Sequence, residues 1–302
     1  MKRRSYGRDF GLTIRMLATT GLLGLLYVAF GAGLVLFAGV GIVPMFVIIV
    51  GISLFQYFTS DKLALRAAGA KIVSREEAPE LHDMIERLCA MADLPKPQVA
   101  IMDTPVPNAF ATGRSPKHAA VCVTTGLWNR LEPKEIEGVL AHELSHIGNR
   151  DVLIMTVASF FAMLAALLSR FMLYAGMFGG DRRDNNGPPI WLIVFAISAI
   201  TYALSYVLIR TISRYREYAA DRGSALITGA PEYLMSALQK ISSQMTLIPN
   251  QDLRQVEGMN AFFIIPAKAK GAISELFMDH PPLEKRIAAL AEIAREMGRP
   301  VA

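Results

Sequence analysis

The chain has 302 residues, 53% of them hydrophobic, with a mean hydropathy of +0.35 and a formal net charge of +5. That composition is too apolar for an ordinary soluble domain and points to membrane spans. Two cysteines, Cys89 and Cys122, exclude a disulfide framework and agree with a reducing compartment for the polar parts. Nothing resembles a nucleic-acid-binding module, so the positive charge suits an anionic membrane face.

Lys2, Arg3, Arg4, Arg8 and Arg15 precede a stretch, residues 16–58, without a single charged side chain. The stretch far exceeds the apolar core of a cleavable signal, so it reads as an anchor. It is long enough for two helical spans of about 20 residues, with a turn between Gly31 and Gly41. A third apolar run covers Val152 to Leu168, extending to Phe178 past Arg170, which snorkels to the interface; a fourth covers Pro188 to Ile209. The segment between them carries Asp181, Arg182, Arg183 and Asp184, short and charge-balanced as a far-side loop can be. The basic N-terminus places that end in the cytoplasm, and four spans return both polar segments to the same side. The chain therefore divides into residues 1–58 with two spans, a polar part at 59–151, two more spans at 152–210, and a second polar part at 211–302. Together the polar parts make one domain of ordinary size.

Within the first polar part, Ser74-Arg-Glu-Glu is a capping box for a helix through Leu81, Met84 and Leu88. Pro95 and Pro97 break the pattern; Gln98–Met102 and Ala119–Val123 read as strands, and Val106–Gly113 as an extended segment between them. A helix begins near Glu132-Pro133, with proline at an early helical position. In the second part the fourth span continues as a helix from Ser213 to about Leu226. A last helix runs from about Pro281 to Met297, with Leu283, Ile287, Leu290 and Ile293 on its core side. His82 and His118 fall outside any metal spacing and read as solvated surface histidines.

Residues 142–146 read His-Glu-Leu-Ser-His, in a chain with five histidines. Ile136, Val139, Leu140, Leu144 and Ile147 recur at helical core spacing around them. At 3.6 residues per turn His142 and His146 lie on one face and can ligate one metal ion, with Gly138 a turn earlier leaving that face uncluttered. Glu143 is rotated away from that bond and is placed to act as general base on a water, as in zinc proteases. A catalytic zinc needs a third protein ligand. The zinc-protease class with a third histidine six residues after the second is excluded, because Asn149 and Val152 stand where its glycine and histidine would be. Glu217 and Asp221, four apart on one helical face, are the best candidates: one to bind metal, the other to brace a histidine ring. The third and fourth spans form a hairpin, which closes the sequence gap between His146 and Glu217. The zinc helix runs directly into the third span, so the metal lies about 9 Å of helix from Val152, close above the bilayer.

The pattern resembles the HtpX-type membrane zinc metalloproteases, bacterial relatives of the prenyl-protein (CAAX) proteases. The resemblance rests on two leading spans, Pro107-Asn-Ala-Phe-Ala-Thr-Gly113, His142-Glu-Leu-Ser-His146 ahead of an apolar hairpin, Ser213-Arg-Tyr-Arg-Glu-Tyr-Ala-Ala-Asp221 and His280-Pro-Pro-Leu-Glu-Lys-Arg286. It implies Glu217 as third zinc ligand and Asp221 as the residue behind a ligand histidine. It also implies an edge strand, Asn108, Ala109, Phe110, Ala111 and Thr112, that pairs with substrate backbone. His280 and Arg286 match the family's candidates for holding the oxyanion.

The expected architecture is a mainly α integral membrane protein: four transmembrane helices with a cytoplasmic α+β zincin-type (gluzincin) protease domain holding one Zn2+ per subunit. The expected activity is endopeptidase cleavage, on the cytoplasmic side of the inner membrane, of misfolded or membrane-associated proteins. Its partners are those substrates and the lipid bilayer. No phosphate-cradling Gly-x-x-x-x-Gly-Lys-Ser/Thr loop exists, so neither nucleotide nor nucleic acid is expected. Two rivals share the motif. A narrow prenyl-protein-type protease fits less well, because four spans hardly enclose a large chamber. A catalytically silent zinc scaffold has no need of Glu143.

Overall fold

The computed structural model describes residues 10–38, 65–178, 189–245 and 280–299, together with residues 47, 51, 54, 55, 58 and 264. In chain order the elements are α1 (Phe10–Ala38), β1 (Lys71–Ile72), α2 (Pro79–Ala92), β2 (Gln98–Met102), β3 (Ala109–Gly113), β4 (Ala119–Thr124), α3 (Pro133–Asn149), α4 (Asp151–Phe178), α5 (Ile190–Thr228), α6 (Pro231–Met245) and α7 (Leu283–Glu296). Two compact units result: Phe10–Tyr57 with Ile154–Ile212, and Phe58–Leu153 with Ser213–Ala302.

The first unit is packed inside out. Large apolar side chains face outward along its helices, with Val28 72% and Leu36 77% exposed, while Ser198, Thr201 and Ser205 are buried. The Tyr27 hydroxyl donates to the Ala158 carbonyl at 2.7 Å, and its ring stacks on Phe161. Apolar surface outside and hydroxyls inside suit a hydrocarbon solvent, where packing and internal hydrogen bonds, not water exclusion, hold helices together. Among the described residues three helices are long and apolar enough to cross a membrane: Phe10–Leu36, Leu153–Tyr174 and the helix Ile190–Thr228. α1 runs unbroken through Gly31 and Gly33 to Ala38. Most of the expected second span, and the loop at 179–187, lie outside the described residues.

The second unit is built on a four-stranded sheet of order β1-β2-β4-β3. β2 and β4 are parallel, whereas β1 and β3 pair antiparallel at the two edges. All six residues of β4 are buried, as expected of a central strand covered on both faces. Val99, Val121, Val123 and Ala109 point into the main core, and Ala100, Ala120, Cys122 and Phe110 into a smaller one on the opposite face. The main core receives Ile136, Val139, Leu140, Leu144 and Ile147 of α3, the residues whose spacing predicts a helix. Leu140 and Leu144 are wholly buried, each contributing about 2–3 kcal/mol.

Three expectations need correction. Ser74 does not cap the first helix of this unit. The Ser74 amide does donate to Glu77, at 2.8 Å, but Pro79 has no N–H and holds Ala78 at φ −144°, so the helix starts afresh at Pro79. His82 is not at the surface; it is buried with Nε2 3.1 Å from the Val73 carbonyl. The helix that carries His142 and His146 does not run directly into the apolar helix that follows it. Arg150 adopts a left-handed conformation (φ 58°), its amide caps the carbonyls of His146 and Ile147, and α4 begins anew at Asp151.

Candidate metal centre and active site

The site begins with how α3 is held. Pro133 follows a capping box in which Glu132 and Glu135 accept from each other's backbone amides. Glu135 also receives the Ser236 hydroxyl at 2.5 Å and the Lys240 ammonium at 2.9 Å, which fastens the start of α3 to α6. Gly138 admits α6 closely, since a Cβ there would lie 2.7 Å from the Leu234 nitrogen. Its small size therefore serves helix packing, not an uncluttered histidine face. α5 approaches as closely at Gly223, where a Cβ would lie 2.3 Å from the Ser145 hydroxyl oxygen. The Ser224 hydroxyl donates to the Gly138 carbonyl at 2.7 Å. These contacts bring Glu217, on α5, opposite the two histidines of α3.

His142 Nε2 and His146 Nε2 lie 3.1 Å apart, with the rings nearly perpendicular. Glu217 Oε2 is 3.6 Å from the first and Oε1 3.4 Å from the second. The other nitrogen of each ring faces a carboxylate: His142 Nδ1 is 3.0 Å from Asp221 Oδ1, and His146 Nδ1 donates to Asp151 Oδ2 at 2.6 Å. A carboxylate beside Nδ1 favours the proton on that nitrogen, the tautomer in which Nε2 keeps its lone pair. Two imidazole nitrogens and a carboxylate thus converge, an arrangement that suits a cation. His142, His146 and Glu217 offer ligand atoms all within 4.8 Å of one another, and two imidazoles with one carboxylate suit zinc.

The remaining predicted residues surround this cluster. Arg286 is wholly buried and grips Asp221 with two bonds, Nε at 2.9 Å and Nη2 at 2.6 Å, while Nη1 donates to the Ile264 carbonyl at 2.9 Å. The guanidinium therefore stands behind Asp221, which in turn stands behind His142, and its Nη1 also lies 3.4 Å from Glu217 Oε2. His280 also reaches the cluster, with Nδ1 3.1 Å from Glu217 Oε2. Glu143 is buried, and its Oε2 accepts the Ala111 amide of β3 at 2.8 Å. Burial raises the Glu143 carboxyl above its ordinary pKa, a direction that suits a general base.

β3 is the sheet edge on this side, and its register on β4 runs from Ala109↔Val123 to Gly113↔Ala119. The Thr124 amide donates to the Asn108 carbonyl, so by antiparallel alternation Ala109 and Ala111 direct their backbone groups away from β4. Phe110 and Thr112 pair inward. Asn108 precedes the strand, and its side-chain oxygen receives the Ile264 amide at 3.0 Å. Asp151 and its ion-pair partner Arg216 were not singled out from the sequence. Their only signals are an aspartate five residues beyond His146 and an arginine beside Glu217.

The family model of peptidase family M48 matches residues 75–294. The chain belongs to peptidase family M48. It is 52% identical to the Protease HtpX homolog 2 of Methanosarcina acetivorans over 98% of this chain and 99% of that protein. It is 53% identical to the Protease HtpX homolog of Moorella thermoacetica over 98% of each, and 43% identical to that of Pyrococcus furiosus over 95% of this chain and 98% of the other. Among solved structures it is similar to Ste24p of S. mikatae, with a TM-score of 0.55 at 20% identity, covering 93% of this chain and 66% of that one. That likeness is one of fold. The resemblance read from the motifs is borne out, and the chain is a hydrolase of the metalloprotease class. The family implies a metal, for which the His142–His146–Glu217 cluster is the fitting place.

Proposed function

We propose that this chain is a zinc endopeptidase of the cell membrane that cleaves misfolded or membrane-associated proteins on the cytoplasmic side, without ATP. The observation that carries the reading is the junction of the three-ligand cluster with a sheet edge. Glu143 lies next to His142 on α3 and is bonded to the backbone of β3, where an extended peptide would add itself as a further strand. Zinc held by His142, His146 and Glu217 would polarise the scissile carbonyl and acidify the attacking water.

The chain's own residues do the rest. Ala109 and Ala111, with backbone turned away from β4, align the substrate. Glu143, with Oε2 anchored by the Ala111 amide, uses Oε1 to take the proton of the attacking water and later hands it to the leaving amine. His280, whose Nδ1 is 3.1 Å from Glu217 Oε2, would donate to the developing oxyanion, while Arg286 and Asp221 would keep the His142 ring fixed. Main-chain pairing tolerates many sequences, which suits removal of damaged proteins whose unfolded segments reach the site unaided. Support for the cytoplasmic side comes from the basic N-terminus and the low cysteine count.

The test incubates purified full-length protein with zinc and a loosely folded substrate. Wild type should cleave; Glu143→Gln should bind zinc and not cleave; His142→Ala and Glu217→Ala should lose both. Cleavage by Glu143→Gln at the wild-type rate would exclude the mechanism. Cysteines introduced at Asn185 and Ser74 test the orientation: an impermeant thiol reagent on intact cells should label Asn185 alone, and labelling of Ser74 instead would invert it.

A further inference from the structure

Each imidazole of the metal cluster is backed by the same kind of chain. Behind His142 stand Asp221 and Arg286; behind His146 stand Asp151 and Arg216. Asp151 Oδ2 accepts from His146 Nδ1 at 2.6 Å, and its Oδ1 is 2.9 Å from Arg216 Nη2. Both side chains are 4% exposed, a depth at which an unpaired charge is very costly. The pair also spans the elements that build the site. Asp151 is the first residue of α4, placed there by the left-handed Arg150, and Arg216 is the neighbour of Glu217 on α5.

We infer that Asp151 and Arg216 are positioning residues of the metal site: Asp151 holds the tautomer and orientation of His146, and Arg216 pairs with Asp151 and ties it to the helix that carries Glu217. This rests on the zinc-peptidase reading above. In an unbacked imidazole the proton is free to sit on either nitrogen, and only the form protonated at Nδ1 presents Nε2 to the metal. The Asp151 carboxylate selects that form, makes Nε2 a stronger donor and fixes the ring plane. At the N-terminus of α4 the helix dipole also favours its negative charge. Arg216 balances that charge across 2.9 Å, as Arg286 balances the charge of Asp221 behind His142. Among the described residues Arg216 Nε and Nη1 have no hydrogen-bond partner, and its Nη2 forms the 2.9 Å ion pair with Asp151.

The experiment is chelator competition for zinc on the full-length protein in detergent, with no substrate present. Asp151→Asn keeps the shape and an acceptor but loses the charge; its zinc affinity should fall about 10-fold, and that of Asp151→Ala up to about 100-fold. Arg216→Met should also weaken zinc, and Arg216→Lys should recover part of the loss because it restores charge without the fork. With cobalt in place of zinc, the visible bands of Asp151→Ala should shift, a change that general loss of stability does not produce. Should Asp151→Ala fail to fold, the isosteric Asp151→Asn decides. Wild-type affinity in Asp151→Asn, or a lowered melting temperature of the metal-free protein with affinity unchanged, would overturn the inference and leave the protease reading standing. Absence of zinc binding by the wild type would sink both.

Discussion

Replacing Ala111 by proline tests how the sheet edge and the base are joined. The Ala111 amide is turned away from β4 and donates to Glu143 Oε2 at 2.8 Å. Proline removes that donor without removing a bond from the ladder, and an edge strand accepts it when the missing N–H points outward. The loss is one hydrogen bond to a buried carboxylate, worth about 1.5–3 kcal/mol. If Glu143 needs that anchor in the transition state, kcat should fall roughly 10- to 100-fold. Zinc content should not change, because no ligand is touched. Ala109→Pro is the comparison: it shares the outward parity, but its amide is not the one bonded to Glu143, so it should raise KM for an extended substrate and spare kcat. Steady-state kinetics on one unstructured peptide, with zinc measured on the same samples, separates the two. Wild-type kcat in Ala111→Pro, at full zinc occupancy, would show that the Glu143–Ala111 bond has no part in positioning the base.

Glu135→Gln should destabilise the protease unit by about 1–2 kcal/mol at pH 7, through its capping bond and its Ser236 and Lys240 contacts. Burial pushes the Glu135 carboxyl up, but Lys240, Ser236 and the Glu132 amide together hold it below its ordinary value. The stabilisation is therefore complete above the unfolded pKa of about 4.3 and fades as pH falls through the lower folded value, so wild type and variant should converge in acid. Denaturant melts at pH 7 and at acid pH check this; a constant gap would refute it. Gly223→Ala drives a methyl against Ser145, whose hydroxyl is bonded to the Ala141 carbonyl, at a cost of about 1–3 kcal/mol. It should separate α5 from α3 and weaken zinc binding, and Ser145→Gly in the same chain should restore part of it; unchanged zinc affinity would show that the close approach does not set the ligand distance. Burial pushes the Cys89 thiol up to about 11 and the Cys122 thiol up to about 12. Neither should react with a maleimide in the native protein at pH 7, and both should after denaturation. Labelling of native wild type would contradict that burial.

Short-range periodicity determined much of this protein on its own. The four-residue spacing of His142 and His146 dictates a shared helical face, and the apolar residues around them dictate which side of α3 is core. Charge-free runs set out the long apolar helices. Alternation between turn residues makes 109–113 extended. These are properties of a segment with itself, so they survive without knowledge of the rest of the chain. Which partner each face meets is another matter. The sequence placed Glu217 and Asp221 on one helical side, but only the packing of α5 on α3, through Gly223 and Ser145, turns Glu217 to both Nε2 atoms and Asp221 to His142 Nδ1. Only tertiary contact places Arg286 behind Asp221, directs the Ala111 amide at Glu143, and breaks the chain at Arg150 so that Asp151 can reach His146. An isolated aspartate or arginine carries no periodic signal, and its role is set by which buried charge it neutralises across the fold. The desolvation cost of leaving such charges unpaired selects those long-range partners, and that cost exists only once the helices have come together.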